Sequence, residues 1–123
     1  MTRAVVRPSV AEDIPLFFDE PLPWRIKGLT GFIDGEPVGI GGIAFPPEGG
    51  PWVFSSFKEE ARAYPIEMHR AGLRLMKELR DQGVHSVRAT VDEGIPAAER
   101  WLRRLGFKPT DRIDGTVVWT WHS

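Results

Sequence analysis

The chain has 123 residues, of which 41% are hydrophobic and 27% are charged, and its formal net charge is −1. This composition is typical of a globular protein, and we expect one domain spanning residues 1–123. The near-zero charge argues against a nucleic-acid partner. The absence of cysteine excludes disulfides and zinc–thiolate sites, and three histidines without ligand spacing predict no metal. No apolar run approaches the roughly 20 residues that span a bilayer, so we expect no membrane partner and a cytoplasmic location.

The chain begins with a predicted strand and a short helix. The stretch RAVVRPS favours a strand over residues 4–7 that Pro8 ends. Ser9 and Glu12 then have the spacing of a capping box, in which the serine and glutamate side chains each accept a first-turn amide. A short helix is therefore predicted to continue to about Asp19, before the two prolines of EPLPW interrupt it.

Three strands are predicted next. The runs GLTGFI and EPVGIGGIAF flank Asp34-Gly35, and an Asp-Gly pair between apolar runs favours a two-residue hairpin. After the connection PPEGGP, the run WVFSSF has the apolar and aromatic composition of a central strand.

A long helix is predicted from Pro65 to about Gln82, closed by Gly83. The preceding residue, Tyr64, has no short side-chain oxygen with which to cap the first turn. Two interpretations remain open. The bare amides bind an anion, or Glu67 in the first turn already complements the helix dipole and water caps the rest.

A further strand, helix and hairpin complete the predicted order. VRATV predicts a strand over Val87–Val91, AAERWLRRLGF a helix that ends at Gly106, and Asp114-Gly115 a hairpin between the last two strands. The strand–helix–strand unit favours a parallel crossover between flanking antiparallel hairpins. We therefore predict an α/β (α+β) fold with a mixed, mostly antiparallel sheet and helices on both faces.

This order of elements resembles the GNAT family of acyl-CoA-dependent N-acetyltransferases. The stretches VRPSVAEDIPLF, GFIDGEPVGIGGIAF and VRATVDEGIPAAERWLRRLGF are similar to the family's first, central and later elements. The long helix is similar in position to the helix that lies under the cofactor's pyrophosphate. A weaker likeness, carried by YPIEMHR, is to small acetyltransferase-like proteins of phages and prophages. The resemblance implies acetyl-CoA as cofactor and a small amine or a protein amine as substrate.

The sequence departs from the family pattern at several positions. The glycine-rich loop expected at the start of the long helix is replaced by Tyr64, Glu67 and His69. A carboxylate about 5 Å from a phosphate would cost roughly 3 kcal/mol at an effective dielectric constant of about 20. The tyrosine that many members use to protonate the leaving thiolate is Leu102 here, and an asparagine expected near the start of the same helix is Ile95.

The resemblance also implies which residues form the site. The backbone N–H of Phe57 or Lys58 would polarise the thioester carbonyl, and Glu60 would act as general base. The simpler alternative is that Glu59 and Glu60 form a solvated charge pair with their basic neighbours. The implied cofactor-binding residues are Phe57, Lys58, Arg62, Ile66, His69, Arg70 and Arg74.

Two further interpretations concern the surroundings of that site. For His69 the alternative to a ligand contact is a buried histidine that hydrogen-bonds a neighbouring carbonyl. Of the tryptophans, only Trp24 follows a proline-rich break where the family keeps its acceptor loop; Trp52, Trp119 and Trp121 are more typical of a core or sheet face. That loop is short, so the acceptor side is expected to be open or completed by a second copy in a homodimer. The alternative function is a catalytically inactive binding or assembly module, in a phage context.

Overall fold

The computed structural model describes residues 3–91 and 96–123, and over these residues the chain forms a seven-stranded sheet in the order β1-β2-β3-β4-β5-β7-β6. All neighbouring strands are antiparallel except β4 and β5, which are parallel. The mixed, mostly antiparallel sheet predicted from the sequence is confirmed. The strands are β1 Ala4–Pro8, β2 Arg25–Ile33, β3 Glu36–Phe45, β4 Trp52–Phe57, β5 Ser86–Thr90, β6 Lys108–Ile113 and β7 Thr116–His122.

Both predicted Asp-Gly hairpins are present. Asp34 and Gly35 have φ angles of 49° and 85°, and Asp114 and Gly115 have φ angles of 50° and 81°. Two successive residues with positive φ define the type of turn whose twist matches antiparallel strands. These turns fix the pairing of β2 with β3 and of β6 with β7.

The two α-helices pack on one face of the sheet. Helix α1 spans Pro65–Asp81 and α2 spans Pro96–Leu105. Leu79 of α1 is fully buried, in a core cluster that also contains Phe107 and Trp121. Gly83, with a φ angle of 81°, follows the end of α1. None of the helices in the described ranges is long and apolar enough to cross a bilayer.

A 3-10 helix, Ala11–Leu16, covers the other face, where the Phe18 ring meets the Phe54 ring edge-on with centroids 6.2 Å apart. The predicted capping box at Ser9 and Glu12 is wrong. The Ser9 hydroxyl lies 2.8 Å from the Thr30 hydroxyl, and the Val10 N–H donates to the Asp13 carboxylate at 2.9 Å. The cap fails because the Thr30 hydroxyl on β2 competes for the serine.

Asp13 joins this 3-10 helix to the first two strands. Its buried carboxylate accepts two hydrogen bonds of 2.8 Å from the Arg7 guanidinium of β1 and one of 2.9 Å from the Thr30 hydroxyl of β2. The hydrogen bonds from Arg7 are the main cause that lowers the pKa of Asp13 to about 2. A carboxylate held in this way stabilises the fold only while it is ionised.

Asp13→Asn is expected to lower the free energy of unfolding by about 1–3 kcal/mol, since it leaves Arg7 without its buried acceptor. Because the folded pKa lies below the unfolded one, this contribution is complete above about pH 4 and is lost as pH falls toward 2. Urea unfolding between pH 2 and pH 7 measures both effects. Asp19→Asn, at an exposed carboxylate of the same segment, is the matched control. Equal stability of Asp13→Asn and wild type at pH 7 would contradict this role.

Candidate functional site

The parallel strands β4 and β5 are paired at one position only, between Trp52 and Arg88. There the Arg88 N–H donates to the carbonyl of Pro51 at 3.1 Å, and the Arg88 guanidinium stacks on the Trp52 ring at 4.5 Å. Beyond Trp52 the two strands diverge without further pairing. The remainder of β4, about 17 Å long at 3.3 Å per residue, therefore borders a gap in the sheet.

The Phe57 N–H points toward this gap. Backbone groups of successive strand residues point to alternate sides. The Lys58 N–H points toward β3, where it donates to the carbonyl of Val38 at 2.8 Å. The Pro51 carbonyl points the other way, toward β5, where it accepts from the Arg88 N–H. Because Phe57 is separated from Pro51 by an even number of positions, its backbone groups point the same way as those of Pro51. The Phe57 N–H therefore points toward β5. Of the two amides named from the sequence, the geometry selects Phe57.

Helix α1 begins beside the end of β4 with two bare amides. Tyr64 precedes the helix without a side-chain capping bond, and the first backbone bond of the helix runs from the Met68 N–H to the Tyr64 carbonyl at 3.1 Å. Pro65 has no N–H, which leaves those of Ile66 and Glu67 without a helical partner. A helix end of this kind attracts negative charge.

The cations near this helix end differ in their partners. The Arg74 guanidinium lies 3.3 Å from the Glu78 carboxylate, which also lies 3.5 Å from the Lys27 ammonium. Arg74 is therefore held by a carboxylate one turn further along the helix. Arg62 and Arg70 are exposed and form no ion pair with any described residue. Glu67 is exposed and likewise pairs with no described cation, so it neutralises neither arginine.

Three ring nitrogens on this side of the sheet are buried without a partner among the described residues: His69 Nδ1, Trp101 Nε1 and Trp119 Nε1. Among the described residues, no carbonyl forms a hydrogen bond with His69 Nδ1. Buried donors and acceptors are nearly always satisfied in folded proteins, so an orphaned group indicates a missing partner such as water or ligand.

A cavity of about 100 Å³ connects the gap with the space under α1. The Phe57 ring stands in its mouth and meets the Trp101 ring of α2 edge-on, with centroids 5.9 Å apart and planes 83° apart. One edge of the Phe57 ring packs against Gly39 of β3, where a Cβ atom would come within 2.6 Å of it. The chain's own aromatic side chains thus occupy part of the gap, while its backbone edge stays open.

No family model matches the sequence, and no curated protein matches it significantly. Solved structures do match. Escherichia coli ribosomal-protein-S18-alanine N-acetyltransferase covers 98% of this chain and 94% of its own, with a TM-score of 0.75 at 12% identity. A Staphylococcus aureus N-acetyltransferase covers 98% of each chain, with a TM-score of 0.74 at 12% identity. A candidate streptothricin acetyltransferase from Bacillus anthracis, in complex with acetyl coenzyme A, covers 98% of this chain and 99% of its own, with a TM-score of 0.73 at 9% identity.

The chain has the GNAT fold. At identities of 9 to 12% the likeness concerns the fold alone. The splayed pair β4 and β5 and the helix between them, described above, lie in the part of the chain that these matches cover.

Within the GNAT fold, Glu59 and Glu60 lie in a second 3-10 helix, Glu59–Ala63, which follows β4 directly. The buried Ala61 anchors this helix, and both carboxylates are exposed. Neither forms an ion pair with a described residue, so the expected charge pair with Lys58 and Arg62 is absent from the described part of the chain. The Lys58 ammonium instead lies 5.4 Å from the centre of the Phe17 ring.

The tryptophans separate into core and surface. Trp119 and Trp121 are buried in the core, as expected. Trp24 is 46% exposed and lines a different cavity, of about 350 Å³, with Ile14 and Phe18. That cavity lies near the Trp52 end of β4, since Trp24 precedes the β2 residue that pairs with the end of β3. Trp24 is therefore not brought together with Glu60, which follows the other end of β4.

Two positions at which the sequence departs from the family pattern are Leu102 and Ile95. Leu102 is 3% exposed in the core, where it supplies no proton donor. Ile95 lies outside the described residues. Sequence reasoning missed the pair formed by Phe57 and Trp101, although the glycines at 39 and 41 of β3 were a signal that a ring or a ligand packs closely there.

Proposed function

We propose that this chain is an acyl-CoA-dependent N-acetyltransferase with a divergent cofactor loop. The observation that carries the proposal is the gap between β4 and β5, into which the Phe57 N–H points beside the uncapped start of α1. A strand edge and a helix end with free N–H groups suit a ligand that has both amide and phosphate groups. Acetyl-CoA is such a ligand, and solved structures with the GNAT fold include complexes with acetyl coenzyme A and coenzyme A.

The residues present fit that cofactor in part. The bare N–H groups of Ile66 and Glu67, together with the unpaired Arg62 and Arg70, would hold its phosphates. His69, whose Nδ1 lacks a described partner, would contribute a hydrogen bond. Arg74 and the exposed Ile66 side chain, both on α1, would flank the ligand, whereas the Lys58 ammonium lies over the Phe17 ring and would have to leave it to reach a phosphate. The exposed Glu67 carboxylate acts against phosphate binding and predicts a weaker affinity than a glycine loop would give.

Each residue has a defined part in the transfer. When bound, acetyl-CoA supplies an activated acyl group as a thioester. The Phe57 N–H would donate to the carbonyl oxygen and stabilise the negative charge that develops there. Glu60, exposed and free of described ion-pair partners, would accept a proton from the attacking amine of a small molecule or protein. Leu102 offers no proton to the departing thiolate, which would be protonated by water.

Calorimetry with acetyl-CoA tests the proposed site. We expect micromolar binding, weakened at least tenfold in Arg70→Glu because the substitution replaces an unpaired cation with a second carboxylate near the phosphates. Lys77→Glu makes the same charge change two turns along α1, beside Asp81, and should bind like wild type. Absence of heat at millimolar acetyl-CoA would contradict the proposal.

Glu60→Gln should lower the rate of thiol release from acetyl-CoA by about 10²-fold or more with amine acceptors, and leave cofactor affinity unchanged. The measurement is a thiol assay with a panel of small primary amines and peptides with free amino termini. Glu59→Gln is the matched control, because it changes the adjacent exposed carboxylate of the same 3-10 helix. An unchanged rate in Glu60→Gln would exclude Glu60 as the base.

A second candidate is a catalytically inactive GNAT-fold module that binds or assembles with a partner. Two observations favour it: Leu102 is buried where the family places its acid, and Glu67 stands in the first turn of α1. The two candidates differ in the calorimetric result, since only the enzyme requires acetyl-CoA binding.

A further inference from the structure

The cavity under α1 extends well beyond the gap between β4 and β5. From Trp101 and Phe57 at the gap it continues across the inner face of β3 and β2 to Val6 of β1. A cofactor arm that lies in the gap between β4 and β5 would not extend as far as β1. The inner part of this cavity is therefore available to another group attached to the same ligand.

Two glycines create the inner part of the cavity. A Cβ atom built at Gly41 or at Gly31 would have its nearest neighbours at 3.9 Å, which is an ordinary van der Waals contact. Both positions would accept a side chain, yet both are left bare on the face that α1 covers. The surrounding side chains are aliphatic, among them Leu29, Ile43 and Leu75. An apolar enclosure of this kind favours a hydrocarbon and offers little to a polar group.

We propose that this inner cavity accepts the hydrocarbon tail of the acyl donor, so that the preferred donor carries about four carbons rather than two. The inference rests on the proposed function. A volume of about 100 Å³ is about two thirds of the ~150 Å³ cavity that binds benzene, which has six carbons. A thioester whose carbonyl oxygen meets the Phe57 N–H places its acyl group beside the Phe57 ring, at the mouth of the cavity. The ring moves aside from Trp101 as the tail enters.

Thioether analogues test the inference without a known acceptor. Calorimetry with CoA, S-ethyl-CoA and S-butyl-CoA compares the affinities of ligands that carry no alkyl group, a two-carbon group and a four-carbon group on the sulfur. Each methylene buried in an apolar site strengthens binding about fourfold, so S-butyl-CoA should bind about fifteenfold more tightly than S-ethyl-CoA.

Gly41→Val fills the cavity and should abolish the preference for the butyl group while leaving CoA affinity unchanged. Gly31→Ala is the milder second variant and should reduce the preference without loss of folding. Ser56→Val adds a similar side chain at the neighbouring position of β4, on the opposite face of the sheet, and should keep the full preference.

The outcomes separate this inference from the proposed function. Equal affinity for S-ethyl-CoA and S-butyl-CoA in a protein that binds CoA overturns the four-carbon donor and leaves the acyltransferase proposal standing. A butyl preference that survives in both Gly41→Val and Gly31→Ala also overturns it, because the tail would then lie elsewhere. Failure of CoA itself to bind overturns both proposals together.

Discussion

The single pairing of β4 with β5 is the constraint on which the site depends. In the other strand pairs of the described sheet, several residues are in register, which uses the backbone groups of both edges. Only Trp52 and Arg88 join the parallel pair, reinforced by the stacking of Arg88 on the Trp52 ring. That contact holds the strands together at one end and leaves the far end of β4 with N–H groups that no neighbouring strand accepts.

The start of α1 adds charge to this edge. A missing cap leaves two amides free, and Arg62 and Arg70 have no described carboxylate partner, so the surface favours an anion. Glu67 opposes this effect from within the first turn. The balance between one carboxylate and several donors decides whether phosphates bind, and the difference of roughly 3 kcal/mol per close charge pair is large enough for either result.

The sequence predicted those elements whose signals are local. Two Asp-Gly pairs specified two hairpins because positive φ at consecutive positions suits few other residues. Ser9 failed as a helix cap because a hydroxyl from a distant strand, that of Thr30, competes for it. No local pattern encodes such a contact between residues 21 positions apart.

The site itself was predictable only in part. The sequence placed Phe57, Lys58, Glu60 and the basic residues of α1 on adjoining elements. It left two amides as alternatives, because the choice between them depends on the register of β4 with β3, which the bond from Lys58 to Val38 fixes. The missing partner of His69 Nδ1 and the contact between Phe57 and Trp101 also arise from tertiary packing.

Amide hydrogen exchange at the end of β4 is the most direct test of the open edge. The N–H of Phe57 should exchange at least about 100-fold faster than that of Ser56, whose position in the ladder turns it toward Ile40 of β3. Saturating acetyl-CoA should then slow the exchange of Phe57 while that of Ser56 stays constant. A Phe57 amide that is as protected as Ser56 in the free protein, or one whose exchange acetyl-CoA does not change, would contradict the account.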